Sequence, residues 1–211
     1  MPIRVARKRA NAYQHGDLRA ALIQAGLKLL GKGGVRSLTL RAAAQLAGVS
    51  HAAPYRHFRD RDQLVAAIAE EGFRLLTAHM RAELAAAPAG GPEGLRAIGW
   101  GYVSFARAHP GYFRTIFGGV VPADRGSVTP SLQAAGDEAY QVLRAQIQAG
   151  VRDGWLRPGD PEEMSLAAWS LVHGLSMLMI DGQLSASIPH DGAARAITTA
   201  LIRSLESGLA R

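Results

Sequence analysis

Residues 39–58 read TLRAAAQLAGVSHAAPYRHF, and this stretch decides the fold. Thr39 is a helix-capping residue type, and Leu40 to Ala47 forms a short helical run that stops at Gly48. Gly48 can take the positive φ that a tight turn needs. Ser50 caps the next run, to about Phe58. Two short helices joined by a Gly-containing turn make a helix-turn-helix. Ala44 is small where two helices must cross closely, and Val49 follows the turn as an inward apolar residue. At about 100° per residue, Pro54 and Phe58 share an inward face, and His51, Ala52, Tyr55 and Arg56 fall outside it. A proline at position 54 predicts a tight or 3₁₀-like first turn, with regular helix established by Tyr55.

Charge points the same way. Residues 1–60 hold eleven Lys and Arg against Asp17 and Asp60, a net +9. The remaining 13 basic and 15 acidic residues net −2. One end of the chain is built to meet a polyanion, which favours nucleic acid or an anionic membrane. The outward groups of the third helix suit a major groove. Arg56 can reach guanine, Ala52 a thymine methyl, and Tyr55 a phosphate.

The rest of the chain also predicts helix. Strand-favouring runs are few, and apolar residues recur at three and four. Residues 1–15 form a basic arm. A first helix spans about Asp17 to Lys32, with Leu18, Leu22, Ala25 and Leu29 on one face. A long fourth helix opens at Asp60 or Asp62 and fades near Ala87, where PAGGP breaks the chain. Helices then follow over about 93–108, 110–117, 130–155, 160–181 and 191–208. The expectation is an all-α protein of about nine helices. Its predicted division is an arm at 1–15, a helix-turn-helix domain at 16–76 and a helical domain at 77–211.

Several function classes find no support. The chain has no cysteine, hence no disulfide and no thiol nucleophile. Its seven His are scattered without ligand spacing, so no metal or other cofactor is expected. No nucleophile–base pair and no Gly-rich phosphate loop is visible, so an enzyme is not expected. The N-terminal MPIRVARKRANAYQHG lacks the apolar core of a secretory signal. Leu166 to Ile180 is shorter than a bilayer span and reads as a buried helix. A non-specific architectural DNA binder would use the same basic end, without sequence preference and with little need of an aromatic pocket.

With these residues in view, TLRAAAQLAGVSHAAPYRHFRDRDQL (39–64) resembles the DNA-binding segment of the TetR family of bacterial regulators. The resemblance extends from about His15 to Gly72 and is carried by Gly48-Val49-Ser50, Tyr55, His57-Phe58 and Leu64. Pro54 departs from it, since the family more often has Leu, Val or Ile there. The resemblance implies a three-helix DNA-binding domain, a connecting fourth helix and a helical ligand-binding and dimerising domain. It implies phosphate contacts at Thr39, Ser50, Tyr55 and His57, with Arg41 among the DNA-contacting set. His51, Ala52 and Arg56 become candidates for reading bases. Arg4, Arg7, Lys8 and Arg9 would track phosphate or enter the minor groove. For His57, packing against the first helix stays open as an alternative.

Six of the 13 aromatic residues lie between Trp100 and Phe117. With Trp169, His173 and Met177 they suggest either ordinary core or a pocket for a small apolar or aromatic effector. The candidate lining set is Trp100, Tyr102, Phe105, Tyr112, Phe117, Tyr140, Trp169, His173 and Met177. The stretches AHPGYFRTIFG and AAWSLVHGL resemble a C-terminal subtype marked by Trp169, His173 and Gly174. The resemblance implies a homodimer through the last two helices and a repressor working in the bacterial cytoplasm, on double-stranded operator DNA.

Overall fold

The computed structural model describes residues 15–121 and 128–209. The basic arm, with Arg4, Arg7, Lys8 and Arg9, lies outside the described residues. The described chain is all helix and divides into two compact units, residues 1–64 and 65–211.

The first unit holds α1 (His15–Gly33), a 3₁₀ turn at Val35–Ser37, α2 (Leu40–Ala47) and a second 3₁₀ turn at Ala53–Arg56. Thr39 caps α2 as expected, its hydroxyl accepting from the Ala42 amide at 3.0 Å. Gly48 ends α2 in the left-handed region at φ 71°. Its amide bonds back to the Gln45 carbonyl, and that of Val49 to Ala44 at 3.0 Å. This closure satisfies carbonyls that the helix end leaves free. The core beneath contains Leu22, Ile23, Leu38, Leu40, Ala43, Ala44, Phe58 and Leu64, all buried.

The third helix differs from the expectation. Residues 53–56 form a single 3₁₀ turn, and regular α-helix is not established at Tyr55. Pro54 has no amide to return to the Ser50 carbonyl, and its ring disfavours α geometry at Ala53. The Ser50 carbonyl takes the Ala53 amide instead, at 3.0 Å. The Pro54 carbonyl then receives both the His57 and Phe58 amides, at 2.9 Å each. Ser50 therefore opens a turn through its backbone and is not the side-chain cap of a helix. The residue at the start of the 3₁₀ turn is Ala52, with no side-chain cap.

α3 (Arg61–Ala86) begins in the first unit and continues into the second. Asp60 fixes its start, accepting from the Gln63 amide at 2.9 Å, while the Gln63 side chain accepts from the Arg59 amide at 2.8 Å. The reciprocal pair is a variant of the capping box. The second unit adds α4 (Glu93–Ala108), α5 (Pro110–Phe117), α6 (Pro130–Asp153), α7 (Pro161–Ile180) and α8 (Asp191–Leu209). The described residues thus form eight α-helices, against about nine expected, because the third became a 3₁₀ turn. Thr129 and Asp160 cap α6 and α7, each followed by a proline at the first helical position, where its missing amide costs nothing.

α4 is the central helix, packed against α5, α6, α7 and α8. Eleven of its residues are buried. Arg96 binds it to α8 by a fork onto Glu206, Nε lying 3.1 and 3.0 Å from the two carboxylate oxygens. α7, expected to be a buried helix, is buried on one face only. Met164, Ala168, Val172 and Leu175 point inward, while Ala167, Ser170, Gly174 and Leu178 are exposed. α7 is long and apolar enough to cross a membrane, a test that the core helix of a soluble protein also passes.

Gly101 carries the tightest helix–helix approach to backbone. A Cβ there would stand 2.7 Å from Met80 Cα and 2.9 Å from the His79 carbonyl oxygen. Main chain cannot swing aside as a side chain can. Gly101→Ala should cost about 1–3 kcal/mol, read as a lower urea midpoint for the full chain by far-UV circular dichroism. An unchanged midpoint would mean that α3 and α4 separate freely.

Candidate nucleic-acid interface and ligand cavity

On the first unit the structure sorts residues 50–58 by face. Pro54 and Phe58 are buried, and Ser50, His51, Ala52, Tyr55 and Arg56 are exposed. Tyr55 is 62% exposed, unusual for so large a ring. Thr39 and Arg41, at the start of α2, are also exposed. His57 is half-buried with its ring 6.3 Å from that of Phe58, and Arg19 of α1 lies over the Phe58 ring at 5.8 Å. Of the predicted contact residues, Ser50, His51, Ala52, Tyr55 and Arg56 are thus solvent-facing in the segment that buries Pro54 and Phe58, Thr39 and Arg41 are exposed at α2, and His57 is only half exposed. Exposed guanidinium, imidazole and phenol groups on a rigid turn can address phosphate and base edges.

The second unit encloses a cavity of about 420 Å³, within the range of small-molecule sites. Tyr102, Phe117, Tyr140 and Trp169, four of the nine residues predicted for the pocket, line it. Phe73, Leu76 and Met80 of α3 line it too, and sequence reasoning missed them. So do Leu95, Ile98 and Gly99, which with Tyr102 fall at i, i+3, i+4 and i+7 along α4. That period was the signal that could have defined the wall.

The other five predicted residues lie elsewhere. Trp100 faces a different groove, where the Arg195 guanidinium lies over its ring at 5.7 Å. Phe105 is wholly buried among rings, 5.7 Å from His79 and 5.5 Å from His109. Tyr112 is buried and donates to Glu71 of α3 at 2.6 Å. Met177 is half-buried away from the cavity. His173 stands behind the lining, stacked on Phe113 at 5.4 Å and 24°.

A polar chain supports the wall. The Trp169 indole donates to the Tyr102 hydroxyl at 3.1 Å, and that hydroxyl lies 2.9 Å from His173 Nδ1. An indole N–H can only donate. Every group is used when the Tyr102 proton goes to Nδ1 and neutral His173 keeps its own proton on Nε2. Burial pushes the Tyr102 phenol pKa up and the His173 pKa down, so both stay neutral at physiological pH. Tyr140 donates to Glu162 at 2.8 Å. Its phenol is also pushed up, first by burial and then by that carboxylate.

Comparison with known proteins agrees with this geometry. The family described as bacterial regulatory proteins, tetR family, matches residues 22–68. The family described as tetracyclin repressor-like, C-terminal domain, matches residues 95–205. No curated protein matches in sequence. Among solved structures, a protein with unknown function from Rhodococcus sp. RHA1 is 33% identical, with a TM-score of 0.81. The match covers 96% of this chain and 100% of that one. The TetR family transcriptional regulator PfmR from Thermus thermophilus is 23% identical over 86% of this chain and 97% of its own, with a TM-score of 0.67. A regulatory protein in the tetR family from Rhodococcus RHA1 is 20% identical over 92% and 97%, with a TM-score of 0.70. The last two show likeness of fold.

The buried imidazole makes stability depend on pH. Folding lowers the His173 pKa. As pH falls below the ordinary imidazole value of about 6.5, the unfolded chain therefore binds protons that the folded chain refuses. Stability is full above that pH and is lost as pH drops toward the lowered folded value. His79, also lowered by burial and then by His109, acts in the same direction. The urea midpoint should be lower at about pH 5.5 than at about pH 7.5, and His173→Gln should flatten the difference. An equal slope in the variant would mean that His173 is protonated freely within the fold.

Proposed function

The chain belongs to the tetR family of bacterial regulatory proteins, and from that premise we propose that it is a ligand-responsive, homodimeric repressor. It works in the cytoplasm on a palindromic operator and leaves the DNA when a small apolar or aromatic effector enters the cavity. The observation that carries the reading is the outward set His51, Ala52, Tyr55 and Arg56 around buried Pro54 and Phe58. We assign base reading to His51, Ala52 and Arg56, and phosphate contact to Thr39, Arg41, Ser50, Tyr55 and His57. Arg4, Arg7, Lys8 and Arg9 extend the phosphate track. The functional division is DNA binding over 16–76 and effector binding with dimerisation over 77–211. We also assign the chain to a C-terminal subtype marked by Trp169, His173 and Gly174; the bonds joining Trp169 and His173 through Tyr102 support a structural role for the first two.

In this mechanism the two recognition turns of a dimer enter successive major grooves, about 34–36 Å apart. The effector binds the DNA-free arrangement more tightly. A coupling of about 1–3 kcal/mol lowers operator affinity roughly 5- to 150-fold. α3 is the carrier, since Phe73, Leu76 and Met80 line the cavity and its first turn lies in the first unit.

The partner in the dimer is a second copy, seated on α7 and α8. Ala167, Ser170, Leu171 and Gly174 form an i, i+3, i+4, i+7 stripe that Leu178 continues, exposed except for half-buried Leu171. Ala196, Ala200 and Ser204 form an exposed small-residue stripe on α8. Small residues allow helices of two copies to approach closely. Gly174 has nothing within 4 Å of a built Cβ, so packing within the protomer gives no reason for a glycine there.

Two experiments test this reading. Selection from random DNA with the full chain should enrich a palindrome. Arg56→Ala should relax preference at one base per half-site, worth about 1–3 kcal/mol. Arg7→Ala should weaken all sequences alike and reduce the salt slope by about 1. Absence of an enriched palindrome would sink the operator reading. Second, Gly174→Glu should keep the helical signal but shift the sedimenting species from dimer to monomer. A dimer that survives this change would place the interface elsewhere.

A further inference from the structure

We propose that the effector is a lipophilic cation, an apolar or aromatic body bearing a protonated amine or quaternary ammonium. This rests on the reading of the cavity as the effector site and adds the sign of the ligand's charge. Two charged side chains line the cavity, Asp137 and Glu162, and both are acidic. No Lys or Arg is among the lining residues.

Five aromatic rings complete the wall, from Phe73, Tyr102, Phe117, Tyr140 and Trp169. They form a linked series. Phe73 meets Phe117 at 5.8 Å, Phe117 meets Trp169 at 6.1 Å, and Trp169 meets Tyr140 at 6.0 Å. Aromatic faces carry partial negative charge and attract cations. Phenol, indole and phenyl rings thus work in the same electrostatic sense as the two carboxylates.

Asp137 has no ion-pair partner among the described residues, and Glu162 has one, a long pair to Arg144. Asp137 accepts from the Gln133 side-chain Nε2 at 3.1 Å. Glu162 accepts from Tyr140, and the nearest guanidinium atom, Arg144 Nε, stands 3.4 Å away without a satisfied hydrogen bond. Both acids are exposed, whereas the lining residues Leu95, Ile98 and Ile202 are deeply buried. The cavity is therefore apolar within, and at its exposed edge Asp137 leaves one negative charge beyond the Glu162–Arg144 pair. An anionic ligand would meet repulsion from the carboxylates and from any ring that turns its face to it. A cation with an apolar body meets a matching surface at each end.

The test uses three compounds on one biphenylmethyl body, two of them isosteric. They are 4-biphenylmethyl-trimethylammonium, its neutral carbon isostere 4-neopentylbiphenyl, and the anion 4-biphenylacetate. Binding to the full chain is measured by equilibrium dialysis, for the wild type and for Asp137→Asn/Glu162→Gln. The cation should bind at least about 10-fold tighter than the neutral isostere, and the anion weakest. The double variant should lose that preference while holding the neutral isostere as before. Should it no longer bind the neutral isostere, the wild-type ranking decides alone. Neutral or anionic compound binding as tightly as the cation overturns the charge inference and leaves the effector cavity standing. A cation preference that persists in the double variant overturns it too. Binding of none of the three overturns both.

Discussion

The organisation of the second unit depends on how closely α4 is approached by its neighbours. Three positions in the run Gly99-Trp100-Gly101-Tyr102 meet three different helices. Gly99 leaves room for Ile202 of α8, whose terminal methyl a Cβ would strike. Gly101 lets the α3 backbone through at Met80. Tyr102 reaches α7, with its hydroxyl between Trp169 and His173. Glycine inside a helix costs roughly 0.5–1 kcal/mol relative to alanine. Two such residues are kept here because backbone contact and a side-chain methyl occupy the space. Without Gly101 α3 would stand off and the cavity would lose that wall, whereas at Gly99 the Ile202 side chain would have to turn aside.

The second unit also holds two adjacent acids against its core at the lower-numbered end, and each is matched. Glu70 is buried, bonded by Ser131 of α6 at 2.9 Å and paired with Arg74. Glu71 takes the Tyr112 hydroxyl of α5. A carboxylate stripped of water without partners would cost several kcal/mol. These acids therefore act as directional ties, holding α3 against α5 and α6 where apolar packing alone would permit sliding. Gly72 lies beside them, in close contact with Ile116 and Tyr112. Close packing and charge-assisted bonds thus fix the same stretch of α3.

Much of the first unit was legible in the sequence because its cues are local. A capping Thr39, a left-handed Gly48 and the inward spacing of Pro54 and Phe58 each act within a few residues. What was not legible was how far Pro54 reaches. The lost amide bond and the restricted Ala53 suffice to hold the whole segment at one 3₁₀ turn. In the second unit, aromatic clustering along the chain misled. Trp100 and Tyr102 are two residues apart, about 200° around a helix, so they cannot face one cavity. Phe73 was invisible because it comes from α3, far away in sequence, and only tertiary packing brings it to Trp169 and Phe117. Composition could show that rings were abundant. Direction needed the 3.6-residue period, and membership needed the fold.

The proposed switching mechanism places a physical demand on α3. A helix rises about 1.5 Å per residue, so Leu64 and Phe73 stand roughly 14 Å apart on one continuous rod. A ligand that presses on Phe73 moves that rod only if its other supports yield. At Met80 the backbone of α4 is in the way through Gly101, and this end resists. The remaining supports lie near residues 70–74, namely the bonds of Glu70 and Glu71 and the Ile116 and Tyr112 side chains beside Gly72, and all of these are side-chain contacts that can rearrange. Hydrogen bonds exchange partners at lower cost than a packed backbone deforms. In the proposed mechanism, the polar ties that hold α3 are thus the contacts that an effector would trade for its own. Binding energy shifts the equilibrium only by the difference between the two arrangements. In the proposed mechanism, an effector that touched the α4, α7 and α8 walls alone would bind without switching, whereas one that pressed on Phe73 would shift the equilibrium.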